Sequence, residues 1–320
     1  LTNIIIPNSV TKIDNYAFSG CGSLIELKVG QKLTTIGDYA FKSMGSLTSN
    51  VKPPLFPMTL ESIGEYAFAN SHIPAIDIPN SVTEIGKYAF SSNSYLTSFK
   101  LGNGCKTLAI GVLSDCSALT EVVLLDGLTT ISNIVFLNCT KLESISIPSS
   151  VVKVGDTNVN YSSSITLPFY NCTSLKSVRF EDGNTPIQLG VGYSGDSYAK
   201  GLFNYAPLEE VYIGRNITYQ DYSSSYKFEN YPSHYGYSAF YNQPKLTKVS
   251  IGEAVTEIPA YLFYNNASIT LMTLPNVERI GKAAFRGCSK LTTLNLGNSL
   301  TTVGDKAFYE CSNVTKLTFP

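Results

Sequence analysis

The strongest constraint on this 320-residue chain is a nine-residue segment that recurs along it. The first copy runs from Val10 to Phe18, and seven further copies also end on phenylalanine. If the closing residue of each repeat is taken as its anchor, seven of the eleven intervals between anchors are 22 or 23 residues long. Such a period indicates a solenoid, in which each repeat packs against its neighbours. The anchors are Phe18, Phe41, Phe68, Phe90, Leu113, Phe136, Phe169, Phe203, Phe240, Phe263, Phe285 and Phe308.

A triplet of apolar residues with the spacing L-x-x-L-x-L follows each anchor and predicts a short strand, as at Leu24, Leu27 and Val29. A strand this short needs neighbouring copies of itself, so we expect a parallel ladder over a continuous core. The third repeat departs from the pattern at residues 47–57, where we expect a bulged or broken strand. In the fifth repeat, Leu113 replaces the aromatic anchor.

The motif V-T-x-I-G-x-x-A-F followed by x-x-C-x-x-L-x-x-L-x-I-P resembles the BspA-type leucine-rich repeat of bacterial cell-surface proteins, over essentially the whole chain. The resemblance implies a leucine-rich-repeat solenoid, a right-handed β-rich coil with a parallel sheet of short strands on its concave face. We therefore expect one domain over 1–320, with about twelve repeats, cut from a longer chain because Leu1 to Pro7 match the middle of a repeat. The resemblance also implies an extracellular or cell-surface location and an adhesive role, but it names no ligand.

Six of the seven cysteines lie three residues after an anchor, where the other repeats carry mostly small or amide residues. We expect them to be free thiols that fill a buried turn as compact apolar groups. No C-x-x-C pair is present, and the chain has only two histidines, His72 and His234, so we expect no metal site and no cofactor. The six cysteines are Cys21, Cys116, Cys139, Cys172, Cys288 and Cys311.

Three consecutive repeats carry inserts of 10, 11 and 15 residues, at about 156–167, 190–201 and 218–238. Because consecutive repeats are spatial neighbours, we expect the inserts to stack into one protrusion. Tyrosines interleaved with serine and glycine are typical of binding loops, although the inserts could equally pack on one another. The insert candidates for ligand binding are Tyr193, Tyr198, Tyr219, Tyr222, Tyr226, Tyr231, Tyr235 and Tyr237.

A second candidate surface is the outward row of the triplet strands, where a solvated face is the alternative. It is chemically mixed and nearly neutral, which suits protein recognition, and its ligand-binding candidates are Arg179 and Tyr212. The whole row comprises Lys28, Asp77, Lys100, Ser146, Arg179, Tyr212, Ser250, Thr273 and Asn295.

Charge and composition limit the possible functions. The formal net charge is −1, which disfavours nucleic acid as a partner, and no apolar run approaches the roughly 20 residues of a membrane span. Neither histidine belongs to a catalytic signature, so we expect no enzyme and no catalytic residue. Our first hypothesis is an adhesion protein that binds a host or microbial protein, and the alternative is a glycan-binding module that uses exposed tyrosines. A glycan-cleaving β-solenoid enzyme is a third hypothesis.

Overall fold

The structure, a computed structural model, describes residues 1–44, 56–156, 167–190, 201–203, 205–220, 228 and 238–318. The chain divides into two compact units. Unit one comprises Leu1–Glu143 with Asn171–Thr173, and unit two comprises Ser144–Tyr170 with Ser174–Pro320. Most of the irregular third repeat lies outside the described residues, so its broken strand stays a prediction.

The apolar triplets form parallel ladders of three- and four-residue strands, as the repeat predicts. In β1 the central residue, Ile4, faces the core, and the ladder pairs it with its buried equivalent one repeat later, Leu27. In unit one these strands are β1 (Asn3–Ile5), β3 (Glu26–Lys28), β6 (Ala75–Asp77), β8 (Ser98–Lys100) and β10 (Glu121–Val123). In unit two they are β12 (Ser144–Ile147), β14 (Ser177–Phe180), β16 (Glu210–Ile213), β18 (Lys248–Ile251), β20 (Leu271–Leu274), β22 (Thr293–Leu296) and β24 (Lys316–Thr318).

A second set of parallel strands, which the repeat did not predict, comes from the V-T-x-I part of the motif. Each contributes two or three residues, and pairing with the next repeat supplies the hydrogen bonds that such a short strand cannot make alone. In unit one they are β2 (Lys12–Ile13), β4 (Thr35–Ile36), β5 (Ser62–Ile63), β7 (Glu84–Ile85), β9 (Thr107–Leu108) and β11 (Thr130–Ile131). In unit two they are β13 (Lys153–Val154), β15 (Ile187–Leu189), β17 (Ile217–Tyr219), β19 (Glu257–Ile258), β21 (Arg279–Ile280) and β23 (Thr302–Val303).

The phenylalanine anchors form columns of stacked rings. In unit one the ring centroids of Phe41 and Phe68 are 5.1 Å apart at an interplanar angle of 14°. In unit two those of Phe240 and Phe263 are 5.7 Å apart at 11°. These separations follow the spacing of neighbouring strands, about 4.8 Å, so each repeat places its ring over the ring before it. Stacked pairs add stability beyond the burial of their area.

Nine of the twelve anchors lie between two residues with a left-handed backbone. Around Phe41 these residues are Tyr39 at φ 56° and Ser43 at φ 61°. This conformation is unfavourable for side chains with a Cβ, but here it aims successive backbone N–H groups at the next repeat. Tyr39, Phe41 and Ser43 each donate to a carbonyl of the following repeat at 2.8 Å. Asn138 and Asn171, each two residues after an anchor, occupy the second of these left-handed positions at φ 59° and 60°.

In nine of the twelve repeats, the side chain three residues after the anchor donates a hydrogen bond to the carbonyl of the preceding anchor. The thiol of Cys139 donates to the carbonyl of Leu113, the preceding anchor, at 3.3 Å. In other repeats Asn93 donates to Phe68 at 2.8 Å, and Ser71 donates to Phe41 at 2.6 Å. The interpretation of these cysteines as simple apolar fillers is therefore incomplete. Cysteine, serine and amide side chains share the position because each can donate to the anchor carbonyl.

Candidate functional site

The outward side of β12, β14, β16 and β18, here called the strand face, presents a row of polar side chains in unit two. Strand register places Ser146, Arg179, Tyr212 and Ser250 directly side by side. The apolar residues on either side of each position point inwards, so the alternation along the strand fixes which side chains solvent reaches. Arg179 and Tyr212, two of the predicted binding residues, are thus direct neighbours.

Arg179 and Tyr212 form a preorganised cluster with Asp182. The guanidinium carbon of Arg179 lies 3.8 Å from the centroid of the Tyr212 ring, a close cation–π contact. The Tyr212 hydroxyl donates to Oδ1 of Asp182 at 2.5 Å, and Arg179 lies 3.4 Å from Oδ2 of the same carboxylate. Each of the three side chains therefore holds the other two in place.

Two glycines leave the space that the Asp182 carboxylate occupies. A Cβ on Gly214 would lie 2.8 Å from Oδ1 of Asp182, and one on Gly252 would lie 2.9 Å from it. The carboxylate can therefore lie across the next two repeats and reach the Tyr212 hydroxyl. Its hydrogen bond is the main cause that raises the pKa of Tyr212, with burial and its negative charge adding to the effect.

The surroundings of the cluster carry both signs of charge. Lys248 and Glu210 form an ion pair at 2.6 Å on the same face, and Ser146 donates to Glu181 at 2.8 Å. Arginine and tyrosine are the residue types that most often dominate binding energy at protein interfaces. A rigid Arg–Tyr pair with a mixed polar rim can therefore anchor a protein partner.

The other members of the outward row also face solvent. Lys28, Asp77, Lys100 and Thr273 are exposed, and Asn295 is half-buried. In unit one Lys100 pairs with Asp77 at 3.6 Å. Exposed ion pairs of this kind contribute little energy, and in this row the contact between Arg179 and Tyr212 is the only described one between an arginine and an aromatic ring.

The three inserts begin at neighbouring strands of unit two. They follow β13, β15 and β17, which pair in register. Tyr219 at the end of β17 packs against the buried Phe228, with ring centroids 4.6 Å apart. Phe228 and the partly buried Tyr219 belong to a cluster with Ala260, Tyr261 and Ala283. The other insert candidates lie outside the described residues and stay predictions: Tyr193, Tyr198, Tyr222, Tyr226, Tyr231, Tyr235 and Tyr237.

Sequence reasoning missed a row of four stacked tyrosines in unit one, here called the tyrosine row: Tyr16, Tyr39, Tyr66 and Tyr88. Each lies two residues before an anchor, in the left-handed position. The signal was present, because the tripeptide Tyr-Ala-Phe ends four consecutive repeats.

Metal-ligating side chains are not clustered in the part of the chain that the structure describes. No group of three or more histidine, cysteine or acidic side chains there could hold a metal ion. The ring of His72 meets the ring of Tyr95 edge-on at 4.9 Å, and His234 is outside the described residues. No helix among the described residues is long and apolar enough to cross a bilayer.

Stacked short strands, anchor columns and repeating turns define a leucine-rich-repeat solenoid. The profile of the BspA type leucine rich repeat region matches the chain in six copies, over residues 1–54, 48–166 and 233–320. Since these matches cover most of the sequence, the chain belongs to the BspA-type leucine-rich-repeat family. No curated protein matches the sequence.

The chain is also similar to solved structures of leucine-rich-repeat proteins. A leucine-rich repeat protein from Bacteroides ovatus is 28% identical with a TM-score of 0.55, and the match covers 98% of this chain and 77% of that one. The leucine rich repeat protein of T. pallidum is 32% identical over 44% of this chain and 65% of its own, with a TM-score of 0.41. A leucine rich cell surface protein from Faecalibacterium prausnitzii is 21% identical, covers 99% and 78%, and has a TM-score of 0.41.

Proposed function

We propose that this protein is a non-enzymatic bacterial surface protein that binds a protein ligand through the strand face of unit two. The observation that carries the proposal is the Arg179–Tyr212–Asp182 cluster. Its side chains are held by one another before any partner arrives, so binding orders few further rotamers. Family membership supports an extracellular, surface-attached location, and the insert tyrosines would supply a second contact region.

The strand face favours a protein ligand over a glycan. A sugar ring stacks on the open face of an aromatic ring, but the Arg179 guanidinium already covers one face of Tyr212 at 3.8 Å. An arginine stacked on tyrosine still offers planar donors for carboxylates and backbone carbonyls of a protein. On the strand face, Tyr212 can therefore offer a sugar at most one ring face.

Binding to defined proteins tests this proposal. The chain would be measured by biolayer interferometry against purified animal matrix proteins, serum proteins and bacterial surface proteins, alongside a glycan array. We expect at least one protein ligand, with affinity reduced tenfold or more by Arg179→Ala and by Tyr212→Ala. Thr273→Ala, an exposed residue of the same outward row in β20, is the matched control and leaves affinity unchanged.

Other outcomes would count against the proposal. A protein ligand whose affinity survives Arg179→Ala and Tyr212→Ala but falls with Tyr222→Ala and Tyr226→Ala would move the site to the inserts. Glycan binding without any protein ligand would favour the alternative function. Measurable cleavage of a polysaccharide would show that the protein is an enzyme.

A further inference from the structure

The tyrosine row of unit one is an ordered aromatic surface separate from the strand face of unit two. Its ring centroids are 4.8, 5.0 and 4.8 Å apart, and the interplanar angles are 4°, 17° and 11°. The rings of Tyr39 and Tyr66 therefore have a neighbouring ring against each face. The two inner rings therefore present their edges and hydroxyl groups to solvent, whereas Tyr16, at the end of the row and 61% exposed, keeps one ring face outside the stack.

Backbone and neighbouring groups hold the row in place. The N–H of each tyrosine donates to a carbonyl of the next repeat, at 2.8 to 3.0 Å. The ring of Tyr88 extends over Gly111. A Cβ on residue 111 would lie 2.3 Å from the ring, so the ring can lie there only because residue 111 is glycine. Lys42 places its ammonium 5.1 Å and 5.3 Å from the centroids of Tyr39 and Tyr66.

The exposed edges of the tyrosine rings favour contact with the face of another aromatic ring. The edge of an aromatic ring carries partial positive charge and its face partial negative charge, so edges attract the face of another ring in a T-shaped arrangement. A sugar would need a free ring face, which Tyr39 and Tyr66 do not offer. The chemistry of the row therefore favours an aromatic side chain as its occupant.

Unit two shows what covers the equivalent position. There Tyr261 and Ala283 lie two residues before their anchors, with the same left-handed backbone as the tyrosine row. Phe228, from the third insert, is fully buried against them and meets the Tyr261 ring at 5.9 Å and 86°. Within this fold, then, an aromatic side chain from an added segment packs edge to face on this position.

A polar groove of about 520 Å³ runs beside the tyrosine row, across β2, β4, β5 and β7. The residue that precedes each tyrosine lines it, and glycines at 37, 64 and 86 put no side chain on its floor. The groove is lined by three carboxylates, which belong to Asp38, Glu65 and Glu84, and by two ammonium groups, which belong to Lys12 and Lys87. Because Asp14 pairs with Lys12 at 2.7 Å, the groove is net acidic and complements a basic side chain.

We propose that unit one binds an extended peptide segment of a partner protein, with an aromatic side chain on the edges of the tyrosine row and an adjacent lysine or arginine in the acidic groove. This surface acts in addition to the strand face. An aromatic residue flanked by basic ones matches both features, which lie next to each other on the same four repeats.

Short synthetic peptides test the proposal directly. The probes are GSKFKSG, its leucine analogue GSKLKSG and its acidic analogue GSEFESG, measured against the full chain by biolayer interferometry. We expect GSKFKSG to bind with a Kd below about 1 mM. Replacing phenylalanine by leucine, or lysine by glutamate, should weaken binding at least tenfold.

Variants of the chain assign the binding to the tyrosine row. Tyr39→Gly combined with Tyr66→Gly removes two rings while relieving two left-handed positions, so the fold is kept and circular dichroism verifies it. This variant should lose binding tenfold or more, and Glu65→Gln combined with Glu84→Gln should weaken it. Lys306→Gly, the same substitution at the same position in unit two, is the matched control and should bind normally.

Three results would overturn the proposal: no binding of GSKFKSG, equal binding of the leucine analogue, or undiminished binding by the double glycine variant. A glycan ligand that depends on Tyr39 and Tyr66 would also overturn it. Arg179→Ala should leave peptide binding unchanged. The peptide-binding proposal for unit one and the strand-face proposal for unit two can therefore fail independently.

Discussion

At the scale of single residues, the proposed binding site on the strand face of unit two depends on three side chains. Asp182 accepts from the Tyr212 hydroxyl and lies beside the Arg179 guanidinium, so removing its charge should release both. A Cβ on Gly214 would meet the backbone of Asp182 as well as its carboxylate, and one on Gly252 would meet that carboxylate and the backbone of Gly214. A change at Asp182 should therefore alter recognition without disturbing the buried anchors.

Asp182→Asn should lower the pKa of Tyr212. The carboxylate raises that pKa first through its hydrogen bond and also through its charge, whereas Arg179 lowers it, so the net effect of the substitution is a fall towards 10. The measurement is an NMR titration of protein labelled at tyrosine Cζ. Glu181→Gln, one residue away, is the control, and an unchanged Tyr212 titration in Asp182→Asn would refute the assignment.

At the scale of elements, the triplet strands and anchor columns were predictable because their residues alternate or recur with a fixed period. The two-residue strands were not, since Lys12–Ile13 or Ser62–Ile63 alone carries no strand signal and gains one only from the repeat beside it. The tyrosine row was missed for a related reason. Its members are 22 to 27 residues apart, so only alignment of the repeats shows that they stack.

The cysteine position gives an element-level prediction about pH. Burial raises the pKa of Cys116 to about 12, from 9.0, and favours the neutral thiol in the folded state. The contribution of the Cys116 thiol to the free energy of unfolding is fully present below pH 9. It declines as the pH rises towards 12, because in this range the thiol ionises readily in the unfolded chain but not in the folded one. The stability advantage of the wild type over Cys116→Ser should therefore shrink between pH 8 and pH 10.5, by at most about 1.4 kcal/mol per pH unit above 9.

Urea unfolding at a series of pH values measures this difference. A constant difference between wild type and Cys116→Ser across the range would show that the thiol is not buried in its neutral form. As a control on accessibility, a thiol reagent should titrate seven thiols in denaturant, whereas Cys116, Cys139 and Cys172 should react slowly in the native protein because they are buried.

At the scale of the whole molecule, stability comes from the interior and not from surface charge. The described ion pairs join side chains that solvent reaches, such as Lys248 and Glu210 at 65% and 43% exposure. Buried aromatic rings, in contrast, extend through both units and include Phe228 of an insert. Phe228 of the third insert therefore contributes to the core of unit two.

Two substitutions in unit two compare these contributions. Phe228→Ala should lower the free energy of unfolding by about 3–5 kcal/mol, because it empties a fully buried site. Lys248→Gln breaks a 2.6 Å surface pair and should cost less than about 1 kcal/mol. Urea denaturation measures the free energy of unfolding of both variants. An equal decrease for Lys248→Gln and Phe228→Ala would contradict the conclusion that the interior provides most of the stability.

The left-handed position two residues before each anchor has a consequence for how such proteins diversify. It holds tyrosine, glycine, isoleucine, alanine and lysine in different repeats, as at Tyr66, Gly111, Ile134, Ala283 and Lys306. Where the position is exposed, as at Lys306, a single substitution changes the surface while the buried column stays intact. Protein engineering could use the same tolerance to place chosen side chains at this position, one in each repeat.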